Sequence, residues 1–305
     1  MRLRVLHTTR YEYPTPAIDS HNEARLEPLN DEDQTCLDFE IKTSPSAKMY
    51  RFELPTGGVH HFGIRLPHRS LTITANSLVE TRLVDPILTL PPDAPLQLFG
   101  SSLELQQEFA EYLSWTKRVL FFPEIAQIAI KVERTTDGGV VEFVQELNRK
   151  LYRDFAYSPG TTDVNTPLLE VLENKMGVCQ DFAHLMLAVC RYRGIPARYV
   201  SGYLYTGQKE NHFESEIEEE YSECGEDELH QGLVSGDAMH AWVECLLPDR
   251  RWHGLDPTNN VLTDHRYVKV HIGRDYGDVP PLRGVFRGPA SQKLEVSVRV
   301  IKEQE

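Results

Sequence analysis

The chain changes its hydrophobic period part-way along, and this change restricts the folds that it can adopt. The first 85 residues form short runs rich in β-branched and aromatic residues, such as Leu71-Thr72-Ile73-Thr74, separated by Pro and Gly turns. Such runs are typical of strands. Prolines then recur where neither a helix nor a central strand can continue, at Pro86, Pro91, Pro92 and Pro95. We therefore predict an all-β sandwich domain over residues 1–85 and a linker over residues 86–98.

Helical spacing replaces the strand pattern from about residue 103 onwards. One helical segment, 179–193, is followed by Gly194 and Pro196, which are typical of a helix C-terminus. Strands are predicted next, at 198–205, 238–247 and 251–255. Helices followed by antiparallel strands indicate an α+β domain, which we place over residues 99–305.

The charge and cysteine content exclude several classes of protein. The net charge of −14 over 305 residues disfavours binding to nucleic acid or to anionic membranes. Five cysteines without paired spacing indicate neither a disulfide framework nor a Cys-rich zinc site. The N-terminal residues lack the apolar stretch of a secretion signal. We therefore expect a cytoplasmic protein with a free thiol and no cofactor, and its oligomeric state is left open.

Most of the negative charge belongs to one acidic segment, 209–228, which lies between two predicted strands. Residues 208–229 contain ten acidic residues and one lysine, a net −9, which leaves −5 for the rest of the chain. This composition favours a solvated, mobile loop. A calcium site is the alternative, although the spacing of the acids does not match an EF-hand loop.

Cys179 is a candidate nucleophile because of its position in the chain. It follows Gly177-Val178 and begins a helix, where unpaired backbone N–H groups and the helix dipole stabilise a thiolate. The same N–H groups can hold the oxyanion that forms when a thiolate attacks a carbonyl. A small buried packing residue is the alternative for any cysteine, and we expect that role for Cys190 and Cys245.

His240 and Asp256 are candidates for the base and the acid. His240 lies in a predicted strand that ends at the turn Pro248-Asp249. If the hairpin is centred on Pro248, His240 and Asp256 lie opposite each other on adjacent strands. A carboxylate there can accept the imidazole N–H and fix its tautomer. Each residue alone could be an ordinary strand or turn residue, but together with Cys179 they favour catalysis.

Asp181 and His184 follow Cys179 closely in the chain, and a zinc site formed by these three residues is one alternative. Their angles around the helix diverge and no second Cys or His pair lies nearby, so we predict no metal site. Asp181 instead complements the dipole at the helix start. His184 is expected to make a buried hydrogen bond.

These motifs resemble the bacterial transglutaminase-like superfamily, which includes proteins named as cysteine proteases. The core motifs that carry the resemblance are Gly177, Cys179, Phe182 and Ala183, then His240-Ala241-Trp242, then Asp256-Pro257-Thr258. The N-terminal motifs are His7-Thr8-Thr9-Arg10-Tyr11-Glu12-Tyr13 and Pro67-His68-Arg69-Ser70-Leu71-Thr72. The resemblance implies a papain-like core preceded by a β-sandwich domain, with Cys179, His240 and Asp256 as the catalytic triad.

One departure from the family concerns the oxyanion. The cross-linking transglutaminases have a tryptophan ahead of the nucleophile that helps to hold this charge, whereas the comparable stretch here, 155–160, offers Tyr157. A phenol can donate the same hydrogen bond. Tyr157 is therefore a candidate oxyanion donor, and an aromatic packing residue is the alternative.

The predicted chemistry is acyl transfer from a peptide or protein substrate through a thioester on Cys179. If water takes the acyl group, the enzyme is a protease or amidase, and if an amine takes it, the enzyme is a transglutaminase. The resemblance to cysteine proteases favours hydrolysis. A catalytically silent binding module is the hypothesis from another class.

Overall fold

The computed structural model describes residues 1–207, 233, 239–289 and 291–303. The predicted acidic loop, 209–228, lies outside these residues, and so does Cys224. The described chain forms an N-terminal β-rich region followed by a region of helices and strands, which confirms the predicted α+β class. No helix among the described residues has the length and apolar content that a bilayer crossing requires.

The N-terminal region is built around one long strand, whose two halves pair with different strands of the same sheet. Its strands are β1 (Arg2–Ala24), β2 (Gln34–Ser44), β3 (Tyr50–Leu54), β4 (Gly57–Ile64) and β5 (His68–Thr81). The first half of β1 pairs with β5, which pairs with β2, and the end of β1 pairs with β4, which pairs with β3. Apolar side chains from both halves share one core, including Phe62 of β4 with Leu71 and Ile73 of β5.

Two C-terminal strands complete the N-terminal sheet. β13 (Leu282–Arg287) and β14 (Lys293–Lys302) both pair antiparallel with β1. They hydrogen-bond with the N-terminal region although the sequence pattern grouped them with the α+β domain. Pairing between strands so far apart in the chain leaves no local signal. The predicted domain limits 1–85, 86–98 and 99–305 remain a prediction.

The second region packs helices against a five-stranded antiparallel sheet. The helices are α1 (Leu96–Gly100), α2 (Leu103–Glu108), α3 (Ala110–Leu113), α4 (Pro123–Glu133), α5 (Val140–Asp154), α6 (Leu168–Asn174) and α7 (Cys179–Tyr192). The remaining strands are β6 (Ala156–Tyr157), β7 (Met176–Gly177), β8 (Ala197–Leu204), β9 (His240–Leu246), β10 (Trp252–Asp256), β11 (Val261–Leu262) and β12 (Tyr267–Gly273). The sheet has the order β11-β10-β9-β8-β12.

Helix α7 is the centre of this region because its apolar residues are buried almost all the way round. It packs against one face of β9, where Ala241, Val243 and Cys245 join the same core as Leu185 and Met186 of the helix. The other face of β9 carries His240, Trp242 and Glu244, as the alternation of a strand predicts. The nucleophile helix and the base strand are therefore held together by apolar packing.

The N-terminal region covers the outer edge of this sheet at β12. The buried side-chain amide of Gln34 donates to the Lys269 carbonyl (2.8 Å) and accepts from the Lys269 N–H (2.7 Å), as a neighbouring strand would. The Leu29 N–H donates to the same Lys269 carbonyl at 3.0 Å. The Lys269 ammonium lies 2.5 Å from Asp31 and 2.7 Å from Asp33. These contacts fix β12 in place from its open side.

We expect Gln34→Ala to lower the free energy of unfolding by about 2 kcal/mol, because the substitution leaves the buried Lys269 N–H unpaired and removes one of the donors to the Lys269 carbonyl. Urea denaturation measures this difference. Gln106→Ala is the matched control, since the Gln106 side chain donates an exposed hydrogen bond to the Gly100 carbonyl. Equal stability of the two variants would contradict the role of Gln34 as a substitute strand.

We also expect His7 to make the protein less stable as the pH falls. His7 is buried between Tyr203 and Thr9, and burial lowers its pKa to about 4 from 6.5. The unfolded chain therefore binds a proton between these values that the folded chain does not, so stability falls from pH 6.5 towards pH 4, by up to about 3 kcal/mol. Urea denaturation between pH 7 and pH 4.5 should show a smaller loss of unfolding free energy in His7→Gln than in wild type. His21→Gln is the control, because His21 is exposed.

Candidate active site

Cys179 is the first residue of α7 and its side chain is partly exposed. The turn before it is tight: a Cβ on Gly177 would lie 2.6 Å from the Asp181 Oδ2 atom, so only glycine fits there. Asp181 accepts hydrogen bonds through that oxygen from the Val178 N–H (2.8 Å) and from the Thr162 hydroxyl (2.6 Å). The helix start is thereby fixed with Cys179 as its first residue, and Asp181 lies in the first turn of the helix.

His240 and Asp256 meet in the sheet, although their predicted register was wrong. The β9–β10 ladder pairs Leu255 with Val243, so Asp256 continues opposite Trp242, two residues from His240. The hairpin turn has three residues, 248–250, and the last of them, Arg250, has a φ of 60°. This turn is centred on Asp249 instead of Pro248. Since a shift of two residues keeps the side chains on the same face, His240 Nε2 still lies 2.7 Å from Asp256 Oδ2.

The Asp256 carboxylate is completely buried and hydrogen-bonded on both oxygens. Oδ1 accepts from the backbone N–H groups of Thr258 (2.9 Å) and Asn259 (3.3 Å). Oδ2 accepts from His240 Nε2, from the Asn259 amide (2.7 Å) and from the Tyr267 hydroxyl (2.8 Å). Burial alone would raise its pKa, but His240, Asn259 and Tyr267 hold the pKa of Asp256 below its usual value. The residue is therefore a carboxylate at neutral pH.

The His240 imidazole is also buried, between Asp256 and the nucleophile. Burial disfavours its charged form, yet the Asp256 carboxylate and the Cys179 sulfur together raise the pKa of His240. Nε2 is engaged by Asp256, and Nδ1 has no hydrogen-bond partner within the described residues. The ring packs beside Trp242, with 6.3 Å between centroids. This arrangement favours an imidazolium with Nδ1 available to the sulfur or to a substrate.

Tyr157 lies next to the nucleophile segment. The short strands β6 and β7 pair in parallel with Tyr157 beside Gly177, and the Ser158 N–H donates to the Gly177 carbonyl at 2.9 Å. The phenol is partly buried, and its pKa is raised by burial and by the neighbouring Cys179 and Asp256 side chains. A protonated phenol can donate a hydrogen bond close to the sulfur. The oxyanion role of Tyr157 stays a prediction.

Two partners of the candidate acid were not predicted. Asn259 follows Asp256 by three residues and bonds to its carboxylate through both its backbone N–H and its side-chain amide. An Asp side chain commonly accepts from the N–H groups that follow it in a turn, so this contact could have been predicted from the sequence. Tyr267 comes from β12, two strands beyond β9 in the sheet, and no local pattern connects it with Asp256.

Three other residues singled out from the sequence, His184, Cys190 and Cys245, are buried in the fold. His184 is buried and its Nε2 accepts from the Tyr276 N–H at 3.2 Å, as expected, and burial lowers its pKa to about 3. Cys190 and Cys245 are both fully buried, with 3.7 Å between their sulfurs, which confirms their packing role. Over the described ranges, no three His, Cys, Asp or Glu side chains are placed to hold a metal ion.

Both regions of the chain match models of known protein families. The model of the transglutaminase-like superfamily matches residues 126–257, and the model of the bacterial transglutaminase-like N-terminal region matches residues 3–80. An uncharacterized protein of Mycobacterium leprae is 34% identical over 304 residues, covering 99% of each chain. The protein-glutamine gamma-glutamyltransferase of Pseudomonas aeruginosa is 31% identical over 117 residues, which are 38% of this chain and 15% of that protein.

A solved structure shares the fold over the whole chain. It is named "putative cysteine protease", comes from Cytophaga hutchinsonii and aligns with a TM-score of 0.68 at 18% identity, covering 100% of this chain and 92% of that one. The arrangement of an N-terminal β region and a papain-like core is therefore confirmed. Together with the two matched models and the end-to-end similarity to the mycobacterial relative, it shows that the chain belongs to the transglutaminase-like superfamily.

Proposed function

We propose that the protein is a thiol-dependent amidase or peptidase in which Cys179, His240 and Asp256 form the catalytic triad. The observation that carries the proposal is the buried His240–Asp256 pair, 2.7 Å apart, next to a partly exposed cysteine at a helix N-terminus. A buried carboxylate that holds an imidazolium beside a thiol is the arrangement that activates a cysteine nucleophile.

The first half of the reaction forms a thioester. The Cys179 thiolate attacks the carbonyl of an amide, and the negative charge on the carbonyl oxygen is stabilised by backbone N–H groups at the start of α7, with Tyr157 as a further donor. The C–N bond then breaks as the His240 imidazolium gives its proton to the leaving amine. Asp256 keeps the ring in the orientation that this transfer needs.

The second half returns the thiol. Once the sulfur is acylated it carries no charge, so one of the groups that raise the pKa of His240 is removed. The neutral imidazole can then take a proton from water as the water oxygen attacks the thioester carbonyl. The C–S bond breaks, the carboxylic acid is released, and the Cys179 thiolate and the His240 imidazolium are restored. His240 thus acts first as acid and then as base.

An amine in place of water would give a transglutaminase, and one finding favours keeping this second candidate. The Pseudomonas aeruginosa relative that matches 38% of the chain is named as a protein-glutamine gamma-glutamyltransferase. Both reactions share the thioester and differ only in the second nucleophile. Cleavage of a peptide library and incorporation of a labelled amine into a glutamine-containing protein, run in parallel on the same preparation, separate the two candidates.

We expect Cys179→Ala and His240→Ala to reduce turnover in either assay by at least about a thousandfold, because each removes a group that takes part in bond breaking. Asp256→Asn should cost less, about a hundredfold, since it removes charge and orientation but leaves the proton carrier. Cys36→Ala is the matched thiol control, because Cys36 lies on β2 in the N-terminal region. Full activity in Cys179→Ala would exclude the proposed nucleophile.

We further expect Cys179 to be alkylated before the other described cysteines when iodoacetamide is limiting near pH 6. Cys190 and Cys245 are fully buried, and burial with nearby acidic groups raises the pKa of Cys36 to about 11. Mass-spectrometric mapping identifies the labelled sites. His240→Ala should slow labelling of Cys179 and leave the other thiols unchanged. If Cys179 were labelled as fast in His240→Ala as in wild type, the result would favour the silent binding module.

A further inference from the structure

We propose that Tyr267 is a positioning residue of the triad, which holds the Asp256 carboxylate in the orientation that His240 requires. The inference rests on the proposed function of the same site. The Tyr267 hydroxyl donates to Asp256 Oδ2 at 2.8 Å, and this is the oxygen that accepts from His240 Nε2 at 2.7 Å. The phenol is 5% exposed, so water does not compete effectively for the bond.

The phenol fixes the direction of the carboxylate because its hydrogen bond adds to others from different elements. Oδ1 is held from the turn that follows β10 by the backbone N–H groups of Thr258 and Asn259. Oδ2 is held by the Asn259 amide from that turn and by Tyr267 from β12. Donors on two sides leave the carboxylate little freedom to rotate away from the imidazole. Burial and the Asp256 charge raise the pKa of Tyr267 well above 10, so its hydroxyl stays a donor.

The sheet is shaped so that this side chain can reach the acid. Tyr267 of β12 pairs with Leu204 of β8. Two residues away on β8, Gly202 pairs with Lys269 of β12 on one side and with His240 of β9 on the other. A Cβ on Gly202 would lie 2.4 Å from the Trp242 ring. The missing side chain leaves space above β8 for the Trp242 and Tyr267 rings, whose centroids are 5.2 Å apart in an edge-to-face contact.

The position of Tyr267 depends in turn on the N-terminal region. The Thr81 hydroxyl donates to the His265 carbonyl at 2.6 Å, just before β12 begins. Gln34 pairs with both backbone groups of Lys269, at the point where the β8–β12 register shifts. The N-terminal region thus fixes both ends of the short segment that carries the phenol. A displacement of this segment would move the hydroxyl away from Asp256.

Tyr267→Phe tests the proposal because it removes the hydroxyl and keeps the ring. We expect kcat to fall about tenfold to a hundredfold with KM unchanged within about twofold, since one hydrogen bond to a charged group is lost and no substrate contact changes. Tyr203→Phe is the matched control. Tyr203 is a buried tyrosine of β8 whose hydroxyl bonds to His7 and whose ring packs in a different apolar cluster from that of Tyr267.

The pH profile separates positioning from packing. The ionisable groups that act on Asp256 and Tyr267 are His240, Asp264 and Arg266, with Tyr157 and Cys179 on the side of the nucleophile. Tyr267 helps to lower the pKa of Asp256, so its loss raises that pKa and moves the acid limb of the profile to higher pH. Tyr203→Phe should leave the limb where it is. A limb that is the same in wild type, Tyr267→Phe and Tyr203→Phe would overturn the proposal.

The rate of Cys179 alkylation as a function of pH supplies a readout that needs no substrate. If this rate depends on His240 but is the same in Tyr267→Phe as in wild type, positioning by Tyr267 is wrong and the proposed function stands. If it does not depend on His240, the proposed function itself fails. Thermal melting checks that each variant is folded. If Tyr267→Phe does not fold, Asn259→Ala is used in its place, because it removes another donor to the same Asp256 oxygen. Wild-type kinetics in Asn259→Ala would then overturn the proposal.

Discussion

The buried charge of Asp256 is the constraint on which the arrangement of the site depends. A carboxylate without access to water is strongly destabilising unless hydrogen bonds and an opposite charge compensate for the lost hydration. The compensation comes from β9 through His240, from the turn after β10 through Thr258 and Asn259, and from β12 through Tyr267. The strand register and the turn geometry must therefore be satisfied together, because an error in either would leave the charge unpaired.

A second buried set of charges on the same face of the sheet connects this site with the N-terminal region. Glu244 on β9 pairs with Arg198 on β8 at 2.5 Å and lies 3.4 Å from Lys269 on β12. Burial opposes its charge, but Lys269 and Arg198 hold the pKa of Glu244 below its usual value. Lys269 is shared with Asp31 and Asp33 of the N-terminal region. Because Lys269 pairs both with Glu244 of the sheet and with Asp31 and Asp33 of the N-terminal region, the two regions are energetically coupled.

The sequence predicted the elements that carry the candidate site because their signals are local. The helix from Cys179 and the alternating strand from His240 both follow from hydrophobic period, and a cysteine at a helix start has a physical reason of its own. The hairpin register was two residues off because a three-residue turn with Arg250 in the left-handed region was not recognised. Tyr267 and the C-terminal strands could not be predicted, since β12 is positioned by pairing with β8 and the C-terminal strands by pairing with β1, both distant in the chain.

The two faces of β9 have different roles in the site. The apolar face, with Ala241, Val243 and Cys245, sets the distance between the strand and α7, and hence between the base and the nucleophile. The polar face sets the charge and direction of the imidazole through Asp256. Because side chains alternate strictly along a strand, a one-residue slip would exchange these faces and abolish both functions at once. The core that stabilises the fold is for this reason also the device that specifies the alignment of Cys179 and His240.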